Sequence, residues 1–139
     1  DIRNFAEVRE AIETLIFVFA AERHDAKGLA RLREAYEREV AAARAGDAET
    51  ARTAAAAFHE VAVDLAGNEM LGELIAVFLT RLRWLFGQHD DLEAMAEEHR
   101  VILEAVRARD VEALRRIVPA HLASGHSAAE RRLAQTATT

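Results

Sequence analysis

Apolar side chains recur along the chain every three or four residues, in long stretches parted by short polar breaks. That spacing gathers them on one side of an α-helix, and it predicts six helices that account for nearly the whole chain. The first, over residues 3–22, begins with Phe5, Val8, Ala11, Ile12, Leu15 and Ile16 and then broadens to Phe17, Val18 and Phe19. A helix apolar all round is buried all round. This one is expected either at the centre of the fold or with a second face turned to another copy.

The second helix, capped by Asp25 and running to about residue 45, is the most polar. Gly46 stops it and Asp47 caps the third, the usual pairing of a C-terminal glycine with an N-terminal carboxylate. A similar turn recurs at 107–110, where Asp110 caps the sixth helix. The third ends at Gly67, and Asn68 caps a fourth with Leu71, Leu74, Ile75, Phe78, Leu82 and Leu85 on one stripe, ended by Gly87.

Asp90 and Glu93 have the spacing of a capping box for the fifth helix. Its periodicity is the cleanest in the chain: Leu92, Met95, Ala96, His99, Ile102, Leu103, Val106. The sixth carries Val111, Leu114, Ile117, Val118, His121 and Leu122. Pro119 is expected to bend it before His121, and residues 135–139 to fray. Short connections predict antiparallel packing of chain neighbours. The fold class is all-α, an antiparallel six-helix bundle forming one domain over residues 1–139.

Composition narrows the function. With 51% hydrophobic residues the chain has a real core, and the absence of cysteine excludes disulfide and thiolate chemistry and agrees with a cytoplasmic setting. A net charge of −6 without a Lys/Arg run argues against a grip on nucleic acid by this stretch. The apolar run 15–21 is too short to span a bilayer. Ser124 and Ser127 have no acidic partner placed for a triad, and no glycine-rich phosphate loop is present.

The remaining chemistry lies in histidines. His99 and His121 occupy apolar stripes, and His59 follows Phe58 in an alanine-rich helix, with Ala55, Ala62 and Val63 one turn away. A lone histidine on such a face is commonly a core residue with one hydrogen bond. Three of them on three helices are hard to satisfy separately, because each buried ring needs partners for two nitrogens. Clustering around a metal or an anionic ligand satisfies all three, and both alternatives stay open at this point. His24, at a helix C-terminus, and His89 and His126 are expected at the surface. No histidine has a glutamate three residues before it, which excludes the di-iron carboxylate pattern.

Taken in order, Glu7-Val8-Arg9 with Glu13, Ala45-Gly46-Asp47, Phe58-His59, Ala66-Gly67-Asn68, Glu98-His99 with Ile102 and Ala105, and His121-Leu122 resemble the FCD domain. This is the effector-binding and dimerisation domain of FadR-type GntR transcriptional regulators, here similar to the six-helix VanR-type branch. The resemblance covers essentially the whole chain. It implies a homodimer, a small organic acid as effector, and DNA contact only through an N-terminal winged helix-turn-helix that this chain lacks. The chain is thus expected to be the C-terminal half of a larger regulator, and not an enzyme.

In the family a divalent metal is held by an Asp on the third helix and three histidines. The resemblance places those histidines at His59, His99 and His121, and the aspartate at Ala55. Three imidazoles with water or a ligand carboxylate still suit zinc or nickel. With Ala55 neutral, an effector carboxylate would take the missing negative charge and couple effector to metal. Arg9, which matches a first-helix arginine of the family, and Arg81, beside the fourth helix's stripe, are the candidate partners for that carboxylate. Phe17, Phe19, Phe78 and Trp84 exceed the needs of one inner face, so the first and fourth helices are expected to supply the dimer face. Two other readings remain: a structural dimerisation module with a ligand-free pocket, and a three-histidine metal enzyme, for which no general base stands out.

Overall fold

Each described helix after the first begins where a short polar side chain accepts a backbone N–H that the helix itself cannot satisfy. In the computed structural model, which describes residues 2–78 and 91–138 apart from the side chains of Ile2, His126 and Ala129, six helices appear and no strand. They are α1 (Ile2–Arg23), α2 (Ala26–Arg44), α3 (Ala48–Ala66), α4 (Glu69–Ala76), α5 (Leu92–Arg107) and α6 (Val111–Ala137). Asp25, Asp47, Asn68, Asp91 and Asp110 are the N-caps, accepting from Gly28, Thr50, Leu71, Ala94 and Ala113. The cap of α5 is therefore Asp91, one residue later than expected. Glu93 then falls outside the capping-box position, which Ala94 fills.

The two similar turns are the same motif. Asp47 N–H reaches the Ala42 carbonyl and Gly46 N–H the Ala43 carbonyl; Asp110 and Arg109 repeat this on Ala105 and Val106. That is a Schellman ending, and its left-handed residue is Gly46 in one turn (φ 72°) and Arg109 in the other (φ 55°).

These turns lay α3 along α2 and α6 along α5. By contrast, α1 makes little contact with its chain neighbour α2. Only His24 and Asp25 separate them, and the buried stripe of α1 is taken up by α3 and α6, with α4 and α5 beside them. α1 is thus the central element, as its all-round apolar stretch allows: Ile16, Phe17, Val18, Ala20 and Ala21 are all buried. Phe17 and Phe58 meet at 6.0 Å in the middle of the core, where full burial of each ring contributes on the order of 2–3 kcal/mol.

The buried face of α1 is only partly the one expected. Phe5, Ile16, Phe17 and Val18 are buried, but Arg9, Glu13 and Ala20 join them and the face continues to His24 just past the helix, whereas Val8 and Leu15 are 47% and 37% exposed. The physical reason is that Arg9 and Glu13, four residues apart, neutralise each other inside the bundle and so travel with the apolar stripe. Nor does Leu74 belong to the inner stripe of α4: it is 42% exposed, while Leu71 and Ile75 are buried.

α4 is described as a helix only to Ala76, followed by a turn in which Phe78 N–H bonds to the Ile75 carbonyl at 2.9 Å. The expectations for Leu82, Leu85, Gly87 and Asp90 lie outside the described residues. α6 continues through Pro119 to Ala137, into the stretch expected to fray. Thr136 and Thr138 there turn their hydroxyls back onto carbonyls of the preceding turn.

Of the aromatic residues expected in surplus of one inner face, Phe17 is fully buried, whereas Phe19 and Phe78 are half-buried, Phe78 edge-on against Phe5 and Phe19 under the Arg23 guanidinium at 3.9 Å. Trp84 lies outside the described residues.

A candidate metal centre

Three helices bring one histidine each to the same point. His59 sits in the middle of α3, His99 in the middle of α5 and His121 in α6, all buried. Their stripes face inward for the reason seen in sequence: each imidazole replaces an apolar residue in an otherwise apolar series. His59 Nε2 lies 3.3 Å from His99 Nε2, and His99 Nε2 lies 3.1 Å from His121 Nε2. One ring nitrogen from each of the three falls within 4.8 Å of the others.

The opposite nitrogens face carboxylates. His59 Nδ1 is 2.7 Å from Glu13 Oε1, and His99 Nδ1 is 2.5 and 3.0 Å from the two oxygens of Glu39. His121 Nδ1 is 3.3 Å from Glu98 Oε2. A carboxylate can only accept, so each Nδ1 must carry the proton it donates. In a neutral ring that leaves Nε2 with a lone pair, and three such lone pairs point at one another. Three ring nitrogens so placed form a donor set that can hold a cation. Nitrogens about 2.0–2.1 Å from a zinc ion stand about 3.3 Å apart at a tetrahedral angle, which the His59–His99 and His99–His121 spacings match.

Charge is arranged around this point. Burial raises the Glu13 carboxyl, but the Arg9 guanidinium and the His59 imidazole outweigh it and hold that carboxyl well below its usual range. Arg9 Nε bonds to Glu13 Oε2 at 2.6 Å, both side chains being almost fully buried. His121 is pushed down to about 4, chiefly by burial, against the Glu98 hydrogen bond, which raises it. It is therefore neutral at neutral pH, with its lone pair available. The walls are aromatic: Phe58 stacks on His99 at 4.6 Å and 16°, and Phe17 meets His59 edge-on at 5.5 Å.

Comparison with known proteins now bears on this geometry. The FCD domain family matches residues 4–124, a span that contains Glu13, Glu39 and all three histidines. The chain belongs to the FCD-domain family. A curated relative, the HTH-type transcriptional regulator LutR of Bacillus subtilis (strain 168), is 31% identical over 117 residues, covering 78% of this chain and 52% of that protein. The chain spans about half the length of that relative.

Within this FCD domain the structure brings His59, His99 and His121 together, as the sequence suggested. Ala55, one turn before His59, is completely buried and offers only a methyl group where the resemblance placed an aspartate. Arg9 belongs to the centre through Glu13, and so lies one residue removed from the histidines. Arg81 and His89 lie outside the described residues. His24, expected at the surface, is buried at the end of α1 with Nδ1 2.9 Å from the Ala20 carbonyl. The stripe of α1 continues to that residue and draws it in.

Sequence reasoning missed Glu13, Glu39 and Glu98 as members of the site. For Glu39 a signal existed. It continues the series Gly28, Leu32, Ala35, Glu39, Ala42, which is the buried stripe of α2. A carboxylate on such a stripe requires a partner inside.

Proposed function

We propose that this chain is the effector-sensing and dimerisation domain of a GntR/FadR-type transcriptional regulator. In this reading it holds a divalent cation, zinc or nickel, through His59, His99 and His121. The observation that carries it is the convergence of three Nε2 atoms whose opposite nitrogens are all turned to carboxylates. When bound, the cation supplies positive charge and an open position for an oxygen donor. The methyl of Ala55 leaves the protein without an anionic donor on that side of His59, so a small organic acid is the fitting effector. Glu13, Glu39 and Glu98 orient the rings; Arg9 keeps Glu13 ionised.

Family membership and the resemblance to a transcriptional regulator favour a regulatory over an enzymatic role. DNA contact belongs, in this proposal, to another part of the whole regulator. Effector binding would act by favouring one arrangement of the bundle over another. Self-association is assigned to α1 and α4, which touch each other and expose Val8 and Leu15 on one and Met70 and Leu74 on the other, with Val77 exposed just past its end. No helix among the described residues is long and apolar enough to cross a membrane.

Calorimetry with a panel of small mono- and dicarboxylates, on chelator-treated protein with and without added zinc, tests the effector. Binding is expected only when zinc is present. An acid that binds equally well to metal-free protein would separate the effector from the histidine centre.

A further inference from the structure

The three carboxylates around the histidines are not equivalent. Glu13 divides its charge between His59 and Arg9, with which it forms a 2.6 Å ion pair. Glu98 is 33% exposed and stands 3.3 Å from His121, so water screens it. Glu39 is 0% exposed and turns both oxygens to Nδ1 of His99. His99 is also the middle ring, with its Nε2 within 3.3 Å of the Nε2 of each of the other two. A carboxylate behind the middle ring has the greatest leverage on the direction and basicity of the donor set. The full burial of Glu39 means that α2 carries a carboxylate into the core against its desolvation.

We infer that Glu39 is a positioning residue for the cation. It fixes the Nδ1–H tautomer of His99, aims Nε2 at the shared centre, and supplies from α2 the buried negative charge that the three neutral ligands do not. This rests on the reading of His59, His99 and His121 as cation ligands. It adds α2 to the elements that α1, α3, α5 and α6 contribute, and it makes α2 sensitive to whether the centre is filled.

The test uses the chain stripped with a chelator and titrated with zinc against a chromophoric competitor, for wild type, Glu39→Gln, Glu39→Met and the exposed control Glu37→Gln. Loss of a carboxylate behind a ligating histidine lowers metal affinity by about 10–100-fold, and that drop is expected for both Glu39 variants but not for Glu37→Gln. Glu39→Met keeps the side chain's length but takes the carboxylate acceptor from the buried His99 Nδ1–H, so the metal-free protein should resist urea less well than wild type. The readouts that a merely structural role would not move are the zinc affinity of the folded variant and the tautomer of His99. Nitrogen NMR of His99 should show the Nδ1–H form in wild type and a mixture in Glu39→Met. If Glu39→Gln does not fold, Glu39→Met decides. Zinc bound equally by wild type and Glu39→Met overturns the role of Glu39 alone; no zinc bound by wild type overturns the cation reading and this inference together.

Discussion

At the C-terminal end of α1, Arg109 donates from Nη1 to the Ala21 carbonyl at 2.7 Å and from Nη2 to the His24 carbonyl at 2.9 Å. Nearby, Arg23 donates to the Ala66 carbonyl at 2.8 Å, and His24 places Nδ1 on the Ala20 carbonyl. At the centre of the bundle, three histidines instead turn one nitrogen each toward the same point. Both regions place polar side chains among apolar helices. In the first, two guanidinium groups meet carbonyls at the ends of α1 and α3, the His24 imidazole shares the Ala20 carbonyl with its own backbone N–H, and the chain completes its own hydrogen bonding. In the second, carboxylates meet the outer nitrogens, while the inner nitrogens lie within hydrogen-bond distance of one another and form the donor set to which the proposed cation is assigned. Burial of a histidine therefore says little by itself; the groups its nitrogens meet say more.

Substitutions can break this contrast at several strengths. The largest effect is expected from Arg9→Ala, which leaves the buried Glu13 carboxylate without its guanidinium and should cost about 3–5 kcal/mol in urea unfolding. Arg109→Ala removes two charge-assisted bonds at the end of α1 and should cost about 2–3 kcal/mol. Arg109→Gly should lose about 1 kcal/mol less, since glycine relieves the left-handed backbone. Neither Arg109 variant should change zinc affinity, and a change would mean that the two regions are coupled. Smallest is His24→Ala, about 1 kcal/mol by the same unfolding measurement, with zinc binding unaltered.

Much of the fold was legible because helix ends and stripes obey local rules. Asp25, Asp47, Asn68 and Asp110 cap the helices they were expected to cap, and the stripe from Met95 to Val106 is the buried face of α5. The histidines could be read because each interrupts an apolar series. Arg9 and Glu13 could not be read by hydropathy, since a periodicity of apolar residues counts them as breaks in a face, whereas Glu39 stood in the apolar series of α2 and was legible there. Charge pairing inside the bundle makes all three part of the buried faces. The same error put Val8 and Leu15 inside. How chain neighbours pack was only partly legible, because a two-residue link at His24–Asp25 sends α2 away from α1 and toward α3 and α5.

The claim that the centre is a cation site turns on one measurement: zinc stoichiometry of the chelator-treated, re-titrated chain, for wild type beside His99→Ala and His24→Ala. One tightly held zinc per chain is expected for wild type and His24→Ala, with affinity in His99→Ala falling beyond the ~10–100-fold seen when only an outer partner is lost. Equal zinc binding by wild type and His99→Ala, or none by wild type, would contradict it.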